Sequence, residues 1–112
     1  MTLPRGEGVR RVEREIAGEK AAALGRAGER LERMLAEAGE AATRFLDAAD
    51  EDLPLRAAEY SAVRARALQA RLALLIQREA LGLRRHGTVD QQFPEPPTAE
   101  TLLSKKTRRS ER

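Results

Sequence analysis

Four arginines, Arg64, Arg71, Arg78 and Arg85, stand seven residues apart. On a helix this spacing makes them a single row, because seven residues come close to two turns. Such a row can do two kinds of work. Each guanidinium is a planar fork of donors that grips phosphate or carboxylate oxygens. Each long stem can also cover apolar surface while the head reaches water or a facing glutamate. The four are therefore candidates for anion or partner contact. If the row lies in a subunit seam, Glu13, Glu37 and Glu79 are the expected carboxylate partners. A buried charged row would then set register more than it would add stability.

The remaining reactive groups converge less. His86 is the only histidine, and there is no cysteine. An imidazole beside a helix C-terminus usually serves as a capping cation. It lacks the second histidine, thiolate or Glu-x-x-His pattern that a metal site requires. Glu29, Glu32, Glu37 and Glu40 have helical phases that do not meet. They read as a solvated face with pairs such as Glu29–Arg33 and Glu40–Arg44. No glycine-rich phosphate loop follows a strand, and no nucleophile motif is present. The sequence thus assigns no catalytic residue, no metal ligand and no cofactor. An enzyme built across a subunit seam would need His86, Tyr60 and carboxylates gathered in one pocket.

The elements that must position these residues are helices. From Val9 an apolar stripe runs Val9, Val12, Ile16, Ala23, Ala27, Leu31, Met34, Ala38, Ala41 and Phe45. Four glycines interrupt its helix. Gly28 and Gly39 stand at the edge of the stripe, where a second backbone could approach closely. The acidic cluster Asp47, Asp50, Glu51 and Asp52 opposes the dipole of a helix end and favours the start of the next helix. Leu53-Pro54 marks that start, since proline is suited to a first helical turn and disfavours helical geometry in the residue before it. The organisation read here is a leader over 1–8, a helical hairpin over 9–87, and a tail over 88–112. The hairpin helices span about 9–50 and 54–86, joined by a tight turn, with Gly87 as a left-handed cap. The tail is expected to be extended and partly disordered, with Phe93 as anchor and Pro94, Pro96 and Pro97 as stiffeners. Thr98 could cap a short helix carrying Leu102 and Leu103.

The second helix is apolar on two sides. One stripe runs Ala57, Leu68, Leu72, Leu75, Ile76 and Leu83; the other runs Val63, Ala67, Ala70, Leu74 and Leu81. A helix packed on one neighbour needs only one stripe. A second copy of the chain is the expected second neighbour, with Val63, Ala67, Ala70, Leu74 and Leu81 as its interface. The product would be an all-α homodimer, a four-helix bundle with coiled-coil character.

At 112 residues the chain makes one small domain, rich in alanine and leucine and poor in aromatics, with one tyrosine and two phenylalanines. The net charge of +3 divides unevenly, with −3 over residues 1–52, +5 over 53–88 and +1 over the remainder. Opposite signs on adjoining helices neutralise each other. The alternative is a basic accessory protein for nucleic acid, using the arginines of the second helix and the Lys/Arg tail. The acidic first helix and the lack of aromatic platforms or a recognition helix speak against it. The N-terminus does not resemble a signal peptide, and no segment is long and apolar enough to span a membrane. A cytoplasmic interaction module with an unidentified protein partner is the resulting expectation.

The run Leu74-Leu75-Ile76-Gln77-Arg78-Glu79-Ala80-Leu81-Gly82-Leu83-Arg84-Arg85-His86, followed by Phe93-Pro94-x-Pro96-Pro97, resembles small uncharacterised helical bacterial proteins. The resemblance covers about the last third of the chain, carries no catalytic or binding motif and implies no activity.

Overall fold

The computed structural model describes residues 6–111 and is all-helical, with no strand among them. Helix α1 spans Glu7–Asp47 and α2 spans Leu53–Ala80. A short 3-10 turn at Asp50–Asp52 joins them. Helix α3 spans Gly87–Gln92 and α4 spans Ala99–Ser110. The molecule is a rod of 77 × 23 × 14 Å.

The hairpin follows from the apolar stripe of α1. Ala38, Ala41 and Phe45 pack with Tyr60, Val63 and Ala67 of α2 near the turn. Leu31 packs with Ala70 and Leu74 farther along. Alanines at the contact let two helices approach closely and leave Leu31, Phe45 and Tyr60 to fill most of the volume. The glycines neither break nor bend α1 into separate helices. A methyl group at Gly28 or Gly39 would meet nothing within 4 Å, so neither glycine serves a close backbone approach.

At 41 residues α1 is roughly 60 Å long, against roughly 40 Å for the 28 residues of α2. The excess is its N-terminal end. Residues 7–22 are exposed throughout, and Val9, Val12 and Ile16 continue the core stripe there without cover.

Proline stands in the first turn of α2, and Asp52 is the preceding cap residue. The other end departs from the expected one. The apolar pattern continues to Arg85, but the helix stops at Ala80. Gly82 adopts φ +84, and Gly82 N–H donates to the Glu79 carbonyl while Leu83 N–H donates to that of Arg78. These two bonds form a Schellman cap, which a left-handed glycine makes cheaply. Gly82, not Gly87, therefore ends the helix; Gly87 is the first residue of α3.

The tail is also more structured than an extended, partly disordered segment. After α3, residues 93–98 run as an extended strap back along the hairpin, and α4 docks at its turn end. Thr98 caps α4 by accepting from Thr101 N–H at 3.2 Å. Leu102 enters the core beside Phe45 and Tyr60. Lys106 Nζ donates to the carbonyls of Leu46 and Ala48 at 2.8 and 2.7 Å, capping the C-terminus of α1. Two buried anchors and a cap outweigh the low hydrophobicity on which the expectation of disorder rested.

Candidate functional site

The arginine row faces the protein's own tail. Arg64 Nε donates to the Pro96 carbonyl at 2.9 Å, and Arg71 Nε donates to the Phe93 carbonyl at 2.9 Å. Arg71 also pairs with the Asp90 carboxylate and lies 3.7 Å from that of Glu95. Arg78 donates to the Arg85 carbonyl at 2.8 Å and to His86 Nδ1 at 3.4 Å. Seven helical residues rise about 10.5 Å. Three residues of extended, proline-rich chain rise about 9.3 Å. The seven-residue arginine repeat thus matches a three-residue repeat of strap carbonyls, Phe93 and Pro96, running in the opposite direction. Arg85 is no fourth member of the row. It lies beyond α2 and contributes its carbonyl as an acceptor. Glu13 and Glu37 do not pair with the row among the described residues; Glu79 instead meets His86 at 3.1 Å.

Tyr60 extends the clasp. Its side chain is 1 % exposed, and its hydroxyl donates to the Pro97 carbonyl at 2.5 Å. Burial raises its pKa above the ordinary 10.0, and the nearby Arg64 charge partly opposes the rise. Beside it lies an open apolar cavity of about 330 Å³. Leu35, Ala38, Gly39 and Ala42 of α1 form one wall and residues 94–97 the other. No sequence signal announced this clasp, because main-chain carbonyls carry no side-chain signature.

The two stripes of α2 exchange roles relative to the expected assignment. Val63, Ala67, Ala70 and Leu74, expected at a dimer interface, are buried against α1 and, for the last two, beside Val89 of α3. Leu81 is half-buried, lining a shallow cleft with Ile16 and Ala17 of α1. The other stripe faces outward. Leu72 is 58 % and Ile76 55 % exposed, while Leu68 and Leu75 are half-buried. At about 100° per residue, no charged side chain falls within this outward arc of roughly 160° between Leu55 and Arg78. Glu79, in the last turn of α2, falls within the same arc; the other charged residues of α2 lie on its flanks. Glu59 is gripped by Arg56 and Arg44, whose hydrogen bonds hold its carboxyl below the usual 4.5. Arg44 therefore pairs across the hairpin with Glu59, in place of the expected Glu40.

His86 lies at the far end of α2 from Tyr60, so the pocket required for seam catalysis is not assembled within one chain. Among the described residues, no three carboxylate or imidazole groups cluster as a metal site, and no helix is long and apolar enough to cross a membrane. No protein-family model matches this chain, and no curated protein or solved structure matches it.

Proposed function

We propose that the protein is a small helical interaction module that pairs with a second copy through the outward face of α2, forming an antiparallel bundle of four long helices. The observation that carries this reading is the outer arc of α2, uncharged from Leu55 to Arg78 and ending at Glu79, with Leu72 and Ile76 exposed at its centre. Exposed apolar residues are ordinary when scattered, but a contiguous uncharged stripe marks a contact surface. The stripe is also self-complementary. Beyond Leu55 its first half is small, with Ala58, Ala62 and Ala65; its second half is large, with Leu68, Leu72 and Ile76. An antiparallel partner places Ile76 against Ala58 and Leu72 against Ala62, in both directions at once. Such reciprocity is what a two-fold interface requires, and small residues opposite large ones permit close helix packing.

The nucleic-acid reading has no comparable support. Arg64, Arg71 and Arg78 are engaged with the chain's own carbonyls and carboxylates. Light scattering coupled to size exclusion tests the assembly over a concentration series. A mass near twice that of the chain is expected at micromolar concentration; a stable monomer throughout overturns the reading.

A further inference from the structure

Two features left largely uncovered in the closed chain lie at the same end of the rod. Residues 81–86 carry the helical pattern of α2 beyond the point where the helix stops: Leu81 is in phase with Leu74, and Arg85 with Arg78. Alongside, Val9, Val12 and Ile16 of α1 extend the core stripe, 61, 52 and 45 % exposed, with only Ile16 reaching a shallow cleft beside Leu81. What separates the two is a single left-handed glycine, Gly82. Sequence pattern and structure disagree at this position, and such conflicts mark elements with two arrangements.

We propose that residues 87–110 are exchanged between two copies of the chain. In the exchanged form α2 continues straight through Gly82 to His86. Leu81 then continues the buried line toward Ile16, and α3, the proline strap and α4 pass to the equivalent groove of the second copy. Because the strap runs antiparallel to the α2 that holds it, the two hairpins lie end to end and antiparallel. The bare ends of both α1 helices meet the straightened ends of both α2 helices at the two-fold axis. Each groove regains its clasp: Tyr60 to Pro97, Arg64 to Pro96, Arg71 to Phe93, and Lys106 to the end of α1. Only the turn is given up, namely the cap at Gly82 and the Arg78, Glu79 and His86 group. Helical bonds through 81–86 and cover for Ile16 and Val12 replace it. A reciprocal exchange of this kind preserves the packing of each groove and needs only a hinge that can straighten. Pairing of the outer α2 faces involves a different surface and is independent of this exchange.

The chain has no cysteine, so a crosslinking pair can be introduced cleanly. Ala42→Cys and Glu95→Cys line the same cavity, one on the hairpin and one on the strap. A short bismaleimide joins them within one chain in the closed form and between chains in the exchanged form. Gly82→Ala disfavours the left-handed turn and favours the straight helix, whereas Gly82→Asn tolerates the turn. In the Cys pair background, Gly82→Ala is expected to raise the interchain fraction at least about tenfold, increasingly with concentration, while Gly82→Asn stays largely intrachain. Crosslinks confined to single chains in Gly82→Ala, or loss of helix without interchain product, overturn the proposal. Adding Leu72→Glu separates the two assemblies. Persistence of the interchain product supports exchange; its disappearance assigns the dimer to the α2 faces and ends the exchange proposal.

Discussion

Arg71 and Phe93 are joined by a hydrogen bond from a guanidinium Nε to a main-chain carbonyl, at 2.9 Å, with the arginine side chain only 11 % exposed. The same fork reaches Asp90, so one side chain fixes both α3 and the start of the strap. A lysine offers a point charge on a flexible stem and cannot serve both acceptors in that plane. Arg71→Met should destabilise the fold by about 2–3 kcal/mol, the range for hydrogen bonds to charged groups whose partners are then left unpaired. Arg71→Lys should recover less than half of this. Urea unfolding checks it, with lower midpoints and unchanged slopes expected. A midpoint for Arg71→Met equal to that of the parent would show that the strap is held by its apolar anchors alone.

Tyr60 makes the clasp sensitive to base. Its pKa is raised above 10.0, mainly because burial disfavours the phenolate. The neutral form is thus favoured in the folded chain. Its contribution is full below the unfolded value and is lost as pH rises through the folded one. Stability should fall above about pH 10, more steeply for the parent than for Tyr60→Phe, since only the parent has a phenol to ionise. At neutral pH, Tyr60→Phe should cost about 1–2 kcal/mol by leaving the Pro97 carbonyl without its donor. Unfolding midpoints for both proteins between about pH 9 and about pH 11 separate the lysine titration common to both from the tyrosine. Parallel curves would remove Tyr60 from the account.

These local effects also explain what the sequence could disclose. Helix type and the cap at Thr98 depend on neighbours within a turn or two, and periodicity and a capping hydroxyl record them directly. The break does not fall before the proline as expected: Leu53 is helical, and the chain leaves helical geometry earlier, at Ala48 and Ala49. The end of α2 was not legible, because Leu81, Leu83 and Arg85 stay in phase and only the backbone of Gly82 departs. Nor was the choice between stripes. The outward stripe carries four leucines and one alanine and the buried one two of each, so leucine content points to the wrong face; which one meets α1 is decided by the fit of Tyr60 and Leu74 against Leu31, Phe45 and Leu102.

The arginine row shows a third kind of limit. Its spacing was visible, and so was the proline segment, whose contacts with the row lie 22 and 32 residues away in sequence. Their relation was hidden because one partner is a backbone. A rise of seven helical residues against three extended ones is a match of lengths, legible only once the strap is known to turn back along α2.

Lys106 offers a separate test of why the tail is ordered. Its ammonium donates to the Leu46 and Ala48 carbonyls, at the negative end of α1 and 58 or more residues away in sequence. Both hydrogen bonding and the helix dipole favour a cation there. Lys106→Met keeps the stem and removes the charge. It should cost about 1–2 kcal/mol, and hydrogen exchange should quicken over α4 more than over the centre of the hairpin. Uniform quickening along the whole chain would show that α4 and the hairpin open as one unit.

Leu72 and Leu74 are two residues apart on α2 yet face opposite ways, 58 % and 6 % exposed. Glutamate at each should separate folding from assembly. Leu74→Glu buries a carboxylate against Leu31, Ala70 and Val89, while Arg71 and Arg78, one turn away on either side, are already engaged by the tail. It should cost several kcal/mol, on the order of 3–5, and reduce helicity outright. Leu72→Glu places the same charge on the outer face, where a monomer leaves it in water. Circular dichroism should therefore be nearly unchanged, while light scattering loses the pairing made through the α2 face, and any dimer that remains carries an exchanged tail. If Leu72→Glu leaves intact an assembly whose crosslinks between Ala42→Cys and Glu95→Cys stay within single chains, the outer face of α2 is not where two copies meet.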